Sequence, residues 1–166
     1  MKKLFEIKVC GINDEISMNT ALRCKADYVG LVFYPNSPRN VSIDLSKELL
    51  RLRNKVTKIV ALTVDPHDDF LSEIKKKIKP DYIQLHGNEN PERCMDIKKN
   101  LNIPIIKGVN VKNKLNLLRL TTDFEDICDI LLFDAPSETL PGGNGKKFDW
   151  DILKDFKSKK KWMLAG

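Results

Sequence analysis

The stretch EIKVCGIND, residues 6–14, is a short apolar run that stops abruptly at Cys10 and Gly11 and leads into Asp14, a residue suited to capping a helix. The same pattern recurs down the chain. YVGLVFY (28–34), KIVALTV (58–64), YIQLHG (82–87), PIIKGV (104–109), DILLFDA (129–135) and WMLAG (162–166) are likewise short and nearly continuously apolar. Such runs fit strands covered on both faces. Amphipathic stretches lie between them. Asp14 is placed to cap a helix carrying Ile16, Ala21 and Leu22. SIDLSKELLRLRN (42–54) spaces Leu45, Leu49, Leu50 and Leu52 at near-helical intervals behind a Ser or Asp cap. Residues 67–79, 91–100, 112–123 and 149–160 read the same way, with Pro91 suited to a helix first turn.

Seven strands alternating with six helices predict a parallel sheet joined by right-handed crossovers. A doubly wound open sheet and a (β/α)₈ TIM barrel both satisfy that α/β pattern. Neither G-x-G-x-x-G nor G-x-x-x-x-G-K-[ST] is present, which removes support for the nucleotide-binding open sheets. Polar or reactive residues fall instead at the C-terminal ends of several strands: Cys10, Asp65, His86, Lys107 and Asp134. A barrel assembles its active site from that rim, so the barrel is the expected fold. The expectation is a single domain over residues 1–166 that holds strands 1 to 7 and lacks the eighth βα unit. Strands 1 and 7 are then expected to have open edges.

Composition narrows the class of function. The chain has 166 residues, 42% hydrophobic and 31% charged, which places it among globular proteins rather than disordered ones. No apolar run approaches the length of a membrane helix. MKKLF resembles the opening of a signal peptide, but Glu6 and Lys8 interrupt it and no cleavage site follows, so a cytoplasmic location is expected. Much of the net charge of +6 comes from KKKIK (75–79) and KSKKK (157–161), both read as solvated faces of outer helices. No pattern of a nucleic-acid-binding motif accompanies them. A modest positive field also suits a small anionic substrate. Cys10, Cys24, Cys94 and Cys128 are widely spaced, and with only His67 and His86 beside them no structural zinc site is expected.

Individually, the strand-end residues have ordinary structural readings. A cysteine is commonly a small buried hydrophobe, and Asp134 after ILLF could be a turn or cap. His86 in QLHG could satisfy backbone groups, and Arg39 in NSPRNV could pair with a carboxylate. Gly142, Gly143 and Gly145, before a helix expected near Asp149, could form a phosphate-binding loop or a lid.

Taken together, KVCGI, GLVFYPNSPRNV, DYIQLHGNE, LLFDA and GGNGKKFDW, ending in LAG, closely resemble the phosphoribosylanthranilate isomerase family of tryptophan biosynthesis. The motifs run in order from the first strand to the last residue. The glycine loop often reads G-G-[ST]-G-K-T-F-D-W in that family, and Asn144 and Lys147 depart from it. The resemblance implies an Amadori rearrangement of N-(5-phosphoribosyl)anthranilate to 1-(2-carboxyphenylamino)-1-deoxyribulose 5-phosphate, with no cofactor and no metal. It implies Asp134 as the general acid that opens the furanose ring and Cys10 as the general base that takes the C2′ proton. It further implies that Arg39 recognises the anthranilate carboxylate, that His86 lines the same pocket, and that the 140–147 loop closes over the substrate. Gly166 would begin the phosphate cradle. The implied partner is the small phosphosugar–anthranilate substrate, without nucleic acid or membrane, in a monomer or homodimer.

The chemistry agrees with the residues. Proton transfer needs groups poised near the working pH, so Cys10 requires local positive potential and Asp134 a dry site or a nearby anion. Two other readings remain at this level. One is an inactive remnant or split-enzyme half acting as an interaction module, and the other is a different sugar-phosphate barrel enzyme.

Overall fold

A computed structural model describes residues 4–136 and 149–165. Chain contacts divide the molecule into two compact units, residues 1–83 and 84–166.

The first unit is a run of βα repeats: β1 (Lys8–Cys10), α1 (Glu15–Arg23), β2 (Tyr28–Phe33), α2 (Ile43–Leu50), β3 (Lys58–Thr63) and α3 (Asp68–Lys77). β2 pairs in parallel with β1 and β3, in a register that sets Cys10 against Gly30. Every residue of β2 is buried, as its continuous apolar run requires. Each helix has an identifiable start. The Asp14 carboxylate accepts the Ser17 N–H at 2.7 Å, and the Ser42 hydroxyl accepts the Leu45 N–H at 3.1 Å. α3 has no side-chain cap but sets Asp68 and Asp69 at its N-terminus and Lys75, Lys76 and Lys77 at its C-terminus, complementing the macrodipole. Those three lysines are exposed, as expected of a solvated face.

The second unit continues the repeat from the end of β4 (Tyr82–Leu85) through α4 (Pro91–Leu101), β5 (Ile105–Asn110), α5 (Lys114–Phe124), β6 (Ile130–Asp134) and β7 (Lys161–Leu164). β6 pairs in parallel with β5 and β7. Pro91 occupies the first turn of α4, and Asn90 caps it by accepting the Arg93 N–H at 2.8 Å. Asn102 closes the helix in the left-handed region at φ 50°.

A device at the strand starts recurs in both units. Asp27, Asp81 and Asp129 directly precede β2, β4 and β6, and each accepts a backbone N–H of the preceding strand segment. The acceptors meet Ile7 N at 2.7 Å, Ile59 N at 2.8 Å and Ile105 N at 2.8 Å. Charge-assisted bonds of this kind fix the offset of successive repeats at the end opposite to the strand C-termini.

The sixth expected helix, 149–160, does not form. Only a 3₁₀ turn, Trp150–Leu153, follows the Asp149 cap, and the chain leaves it through Lys154 at ψ 130° and Asp155 at φ 59°. Tertiary contacts outweigh the helical pattern here. Phe156 packs edge-on against Phe133 and Trp162, at centroid distances of 5.3 Å and 5.9 Å. Glu125 accepts the Ser158 hydroxyl at 2.7 Å and the Lys159 N–H at 2.6 Å. KSKKK therefore leads into β7 as irregular chain rather than lying on an outer helix. β1 and β7 leave apolar side chains in solvent, Val9 at 37% and Leu164 at 40%.

Candidate active site

Cys10 closes β1 with its thiol half-buried, next to a glycine in the facing strand. A Cβ on Gly30 would stand 2.8 Å from the Cys10 Sγ and 3.3 Å from Lys8 Nζ. Gly30 thus gives the thiol its room, and Lys8, two residues earlier on the same strand face, brings a positive charge to the same position. Immediately after Cys10 the chain turns through Gly11 at φ 88°, a conformation that disfavours any side chain. Gly11 N and Ile12 N both donate to Gly30 O, at 2.9 Å and 3.1 Å.

Arg39, from the segment after β2, lies directly over Gly11. A Cβ there would overlap its Cδ and stand 3.0 Å from Nε and 3.2 Å from Nη1. Among the described residues no carboxylate forms an ion pair with Arg39, so the carboxylate-pairing reading has no support there. Its planar fork, partly exposed, is suited to bind a carboxylate bidentately.

In the second unit, Asp134 closes β6 with its side chain 8% exposed. One carboxyl oxygen, Oδ1, accepts the Ala135 N–H at 2.8 Å. The other, Oδ2, lies 3.3 Å from His86 Nε2. That contact is within ion-pair distance but not aligned as a hydrogen bond, and His86 Nε2 has no aligned partner among the described residues. His86 Nδ1 is 2.7 Å from the Gln84 side-chain amide nitrogen. The imidazole stands over Gly108 of β5, where a Cβ would overlap Nδ1 and lie 2.8 Å from Cε1.

Lys107, one of the polar strand-end residues, lies on the opposite strand face from Gly108 and is fully occupied. Its ammonium donates to Gly87 O at 2.8 Å and to Glu89 Oε2 at 2.8 Å, beside the Phe124 ring at 5.7 Å. Both partners of this ion pair are buried, at 3% and 2% exposure. Lys107 therefore braces the loop that follows His86. Asp65 is an exposed turn residue at φ 46°.

The structure thus brings His86 to Asp134 and Arg39 to the Cys10–Gly11 turn. Gly142, Gly143, Gly145 and Gly166, with the 140–147 loop, lie outside the described residues. Sequence reasoning missed Gly30, Gly108, Gln84 and Glu89. The two glycines had a legible signal: glycine inside a strand marks a close approach by another group. Glu89 carried none, since its partner is supplied only by folding, whereas Gln84 stands two residues before His86 on the same strand face. No cluster of three or more His, Cys, Asp or Glu side chains suited to a metal ion occurs among the described residues, and no described helix is long and apolar enough to cross a membrane.

Comparison with known proteins gives a consistent result. A family model described as N-(5'phosphoribosyl)anthranilate (PRA) isomerase matches residues 7–166. The N-(5'-phosphoribosyl)anthranilate isomerase of Paramagnetospirillum magneticum is 44% identical over 165 residues, covering 97% of this chain and 76% of that protein. The crystal structure of phosphoribosyl anthranilate isomerase from Thermotoga maritima superposes with a TM-score of 0.86 at 26% identity, covering 98% of this chain and 77% of its own. A phosphoribosyl anthranilate isomerase in complex with reduced 1-(o-carboxyphenylamino)-1-deoxyribulose 5-phosphate has a TM-score of 0.81 at 23% identity, over 97% of this chain and 75% of that one. That last likeness concerns the fold. The (β/α)₈ class expected from the strand pattern is borne out, with seven strands among the described residues.

Proposed function

The chain belongs to the N-(5'-phosphoribosyl)anthranilate isomerase family, and we propose that it performs the family's aldose–ketose isomerisation with Cys10 as general base and Asp134 as general acid. The observation that carries the assignment is positional: Cys10 is the last residue of β1 and Asp134 the last residue of β6. In a (β/α)₈ enzyme, strand C-termini are where catalytic groups reach the substrate.

The reaction is an internal redistribution of protons and electrons. Asp134 protonates the furanose ring oxygen as the C1′–O bond breaks, and the anilino nitrogen lone pair forms the C1′=N Schiff base. Cys10 thiolate then removes the C2′ proton. The electron pair of that C–H bond becomes the C1′=C2′ bond of an enolamine, which tautomerises to the 2-ketose. No external oxidant or reductant enters. Lys8 supports this reading by bringing a positive charge to the same strand face as Cys10, beside Gly30. Restricted solvent access at Asp134 supports proton delivery to the ring oxygen in preference to water.

Arg39 is proposed to hold the anthranilate carboxylate. Its side chain lies against Gly11, one residue beyond the base, so carboxylate capture is placed close to the reacting sugar by one turn of chain. His86 lies against the acid, and Gly142, Gly143, Gly145 and Gly166 are proposed to contribute the substrate-closing loop and the phosphate cradle.

The test is turnover followed by loss of the substrate's anthranilate fluorescence. Cys10→Ala and Asp134→Asn are each expected to lower kcat by about 10²–10⁴-fold, the usual contribution of a positioned acid or base. Near-normal turnover in either variant would overturn the corresponding role.

A further inference from the structure

Gln84 and His86 are two residues apart on one strand segment, so their side chains share a face. The Gln84 amide nitrogen stands 2.7 Å from His86 Nδ1. With the Gln84 amide in this orientation its nitrogen donates to Nδ1, an arrangement that in a neutral imidazole leaves the proton on Nε2. That Nε2–H is buried, lacks an aligned partner among the described residues, and lies 3.3 Å from Asp134 Oδ2. Both side chains are nearly sealed from solvent, at 6% and 8% exposure. Asp134 Oδ1 is already engaged by the Ala135 N–H.

We propose that Gln84 is a positioning residue for catalysis: it fixes the tautomer of His86 so that the Nε2–H receives the negative charge that forms when Asp134 gives up its proton. The proposal rests on the reading of Asp134 as general acid. Its physical basis is preorganised electrostatics, in which a donor is aimed in advance at the atom where charge develops. A contact that is long and misaligned in the free enzyme tightens as the carboxylate forms. The opposite tautomer would turn the Nε2 lone pair toward the new carboxylate, replacing attraction by repulsion. Gly108 supplies the space the ring needs, because any side chain there displaces the imidazole.

The tautomer can be read without activity. The chain has two histidines, and His67 is exposed, so ¹⁵N-histidine NMR reports two ring systems that His67→Gln assigns. The expected wild-type state of His86 is protonated at Nε2 and bare at Nδ1. Gln84→Leu removes the donor and is expected to lose that preference. Gln84→Glu, nearly the same shape, accepts rather than donates and is expected to move the proton to Nδ1. Both variants are expected to lose about tenfold in kcat and kcat/KM alike, the signature of an interaction made only in the transition state. His86 protonated at Nδ1 in the wild type would overturn the proposal. So would either variant leaving tautomer or kcat unchanged, or raising KM alone. If Asp134→Asn keeps wild-type turnover while the tautomer behaves as expected, the acid assignment fails and takes the catalytic part of this inference with it.

Discussion

Replacing Gly11 by alanine perturbs two features that the structure superimposes, and the two are separable. At φ 88° an L-residue is strained, which costs about 1–3 kcal/mol of folding stability. The new methyl also overlaps Arg39 Cδ, and relieving the overlap moves that side chain by about 1 Å. A flexible arginine makes that adjustment at little cost to stability, but a displacement of this size at a substrate-orienting group costs up to about 10²-fold in kcat/KM. Gly11→Ala is therefore expected to show modest destabilisation in urea melts and a much larger kinetic defect. Adding Arg39→Ala to both proteins tests the reasoning. In that background the backbone strain persists, so the stability loss is unchanged, while the kinetic effect of Gly11→Ala falls away because the displaced group is gone. Undiminished kinetic loss in the Arg39→Ala background, or wild-type kcat/KM in Gly11→Ala itself, would refute the steric argument.

Lys107→Met leaves the buried Glu89 carboxylate without its cation and is expected to cost about 3–5 kcal/mol, with Lys107→Met/Glu89→Gln less destabilised than the two single losses combined, as a double-mutant cycle in urea would show. Thiol titration of the native protein should find Cys24 and Cys10 reactive and Cys94 and Cys128 inert until unfolding, with Cys10→Ser removing one reactive group. Glu125 is held below its ordinary value near 4.5, first by the Ser158 hydroxyl and also by the Lys159 N–H. Because the folded value is the lower one, its contribution is present above about 4.5 and lost as pH falls through the folded value. The protection of the segment leading into β7, taken as hydrogen exchange relative to the intrinsic rate at each pH, should fall over that acid range in the wild type, and Glu125→Gln should remove this change in protection.

The repeat itself was legible in the chain because each strand and most helices are specified locally. A continuous β-branched and apolar run can be satisfied only by burial on both faces, as in β2, and Asp14, Ser42 and Asn90 begin their helices with their own side chains. Where Cys10 and Asp134 fall, at strand C-termini, follows from the same periodicity. The segment after Asp149 carried an equally good local pattern and yet forms only a short 3₁₀ turn, with Phe156 packed against Phe133 and Trp162. Tertiary structure alone decided that Arg39 lies on Gly11, that Lys107 braces the loop after β4, and that Asp134 faces Nε2 of His86. Periodicity says which face of an element is buried. The Lys107–Glu89 and His86–Asp134 contacts join residues 18 and 48 apart, and only the packing of neighbouring repeats within the second unit brings those side chains together.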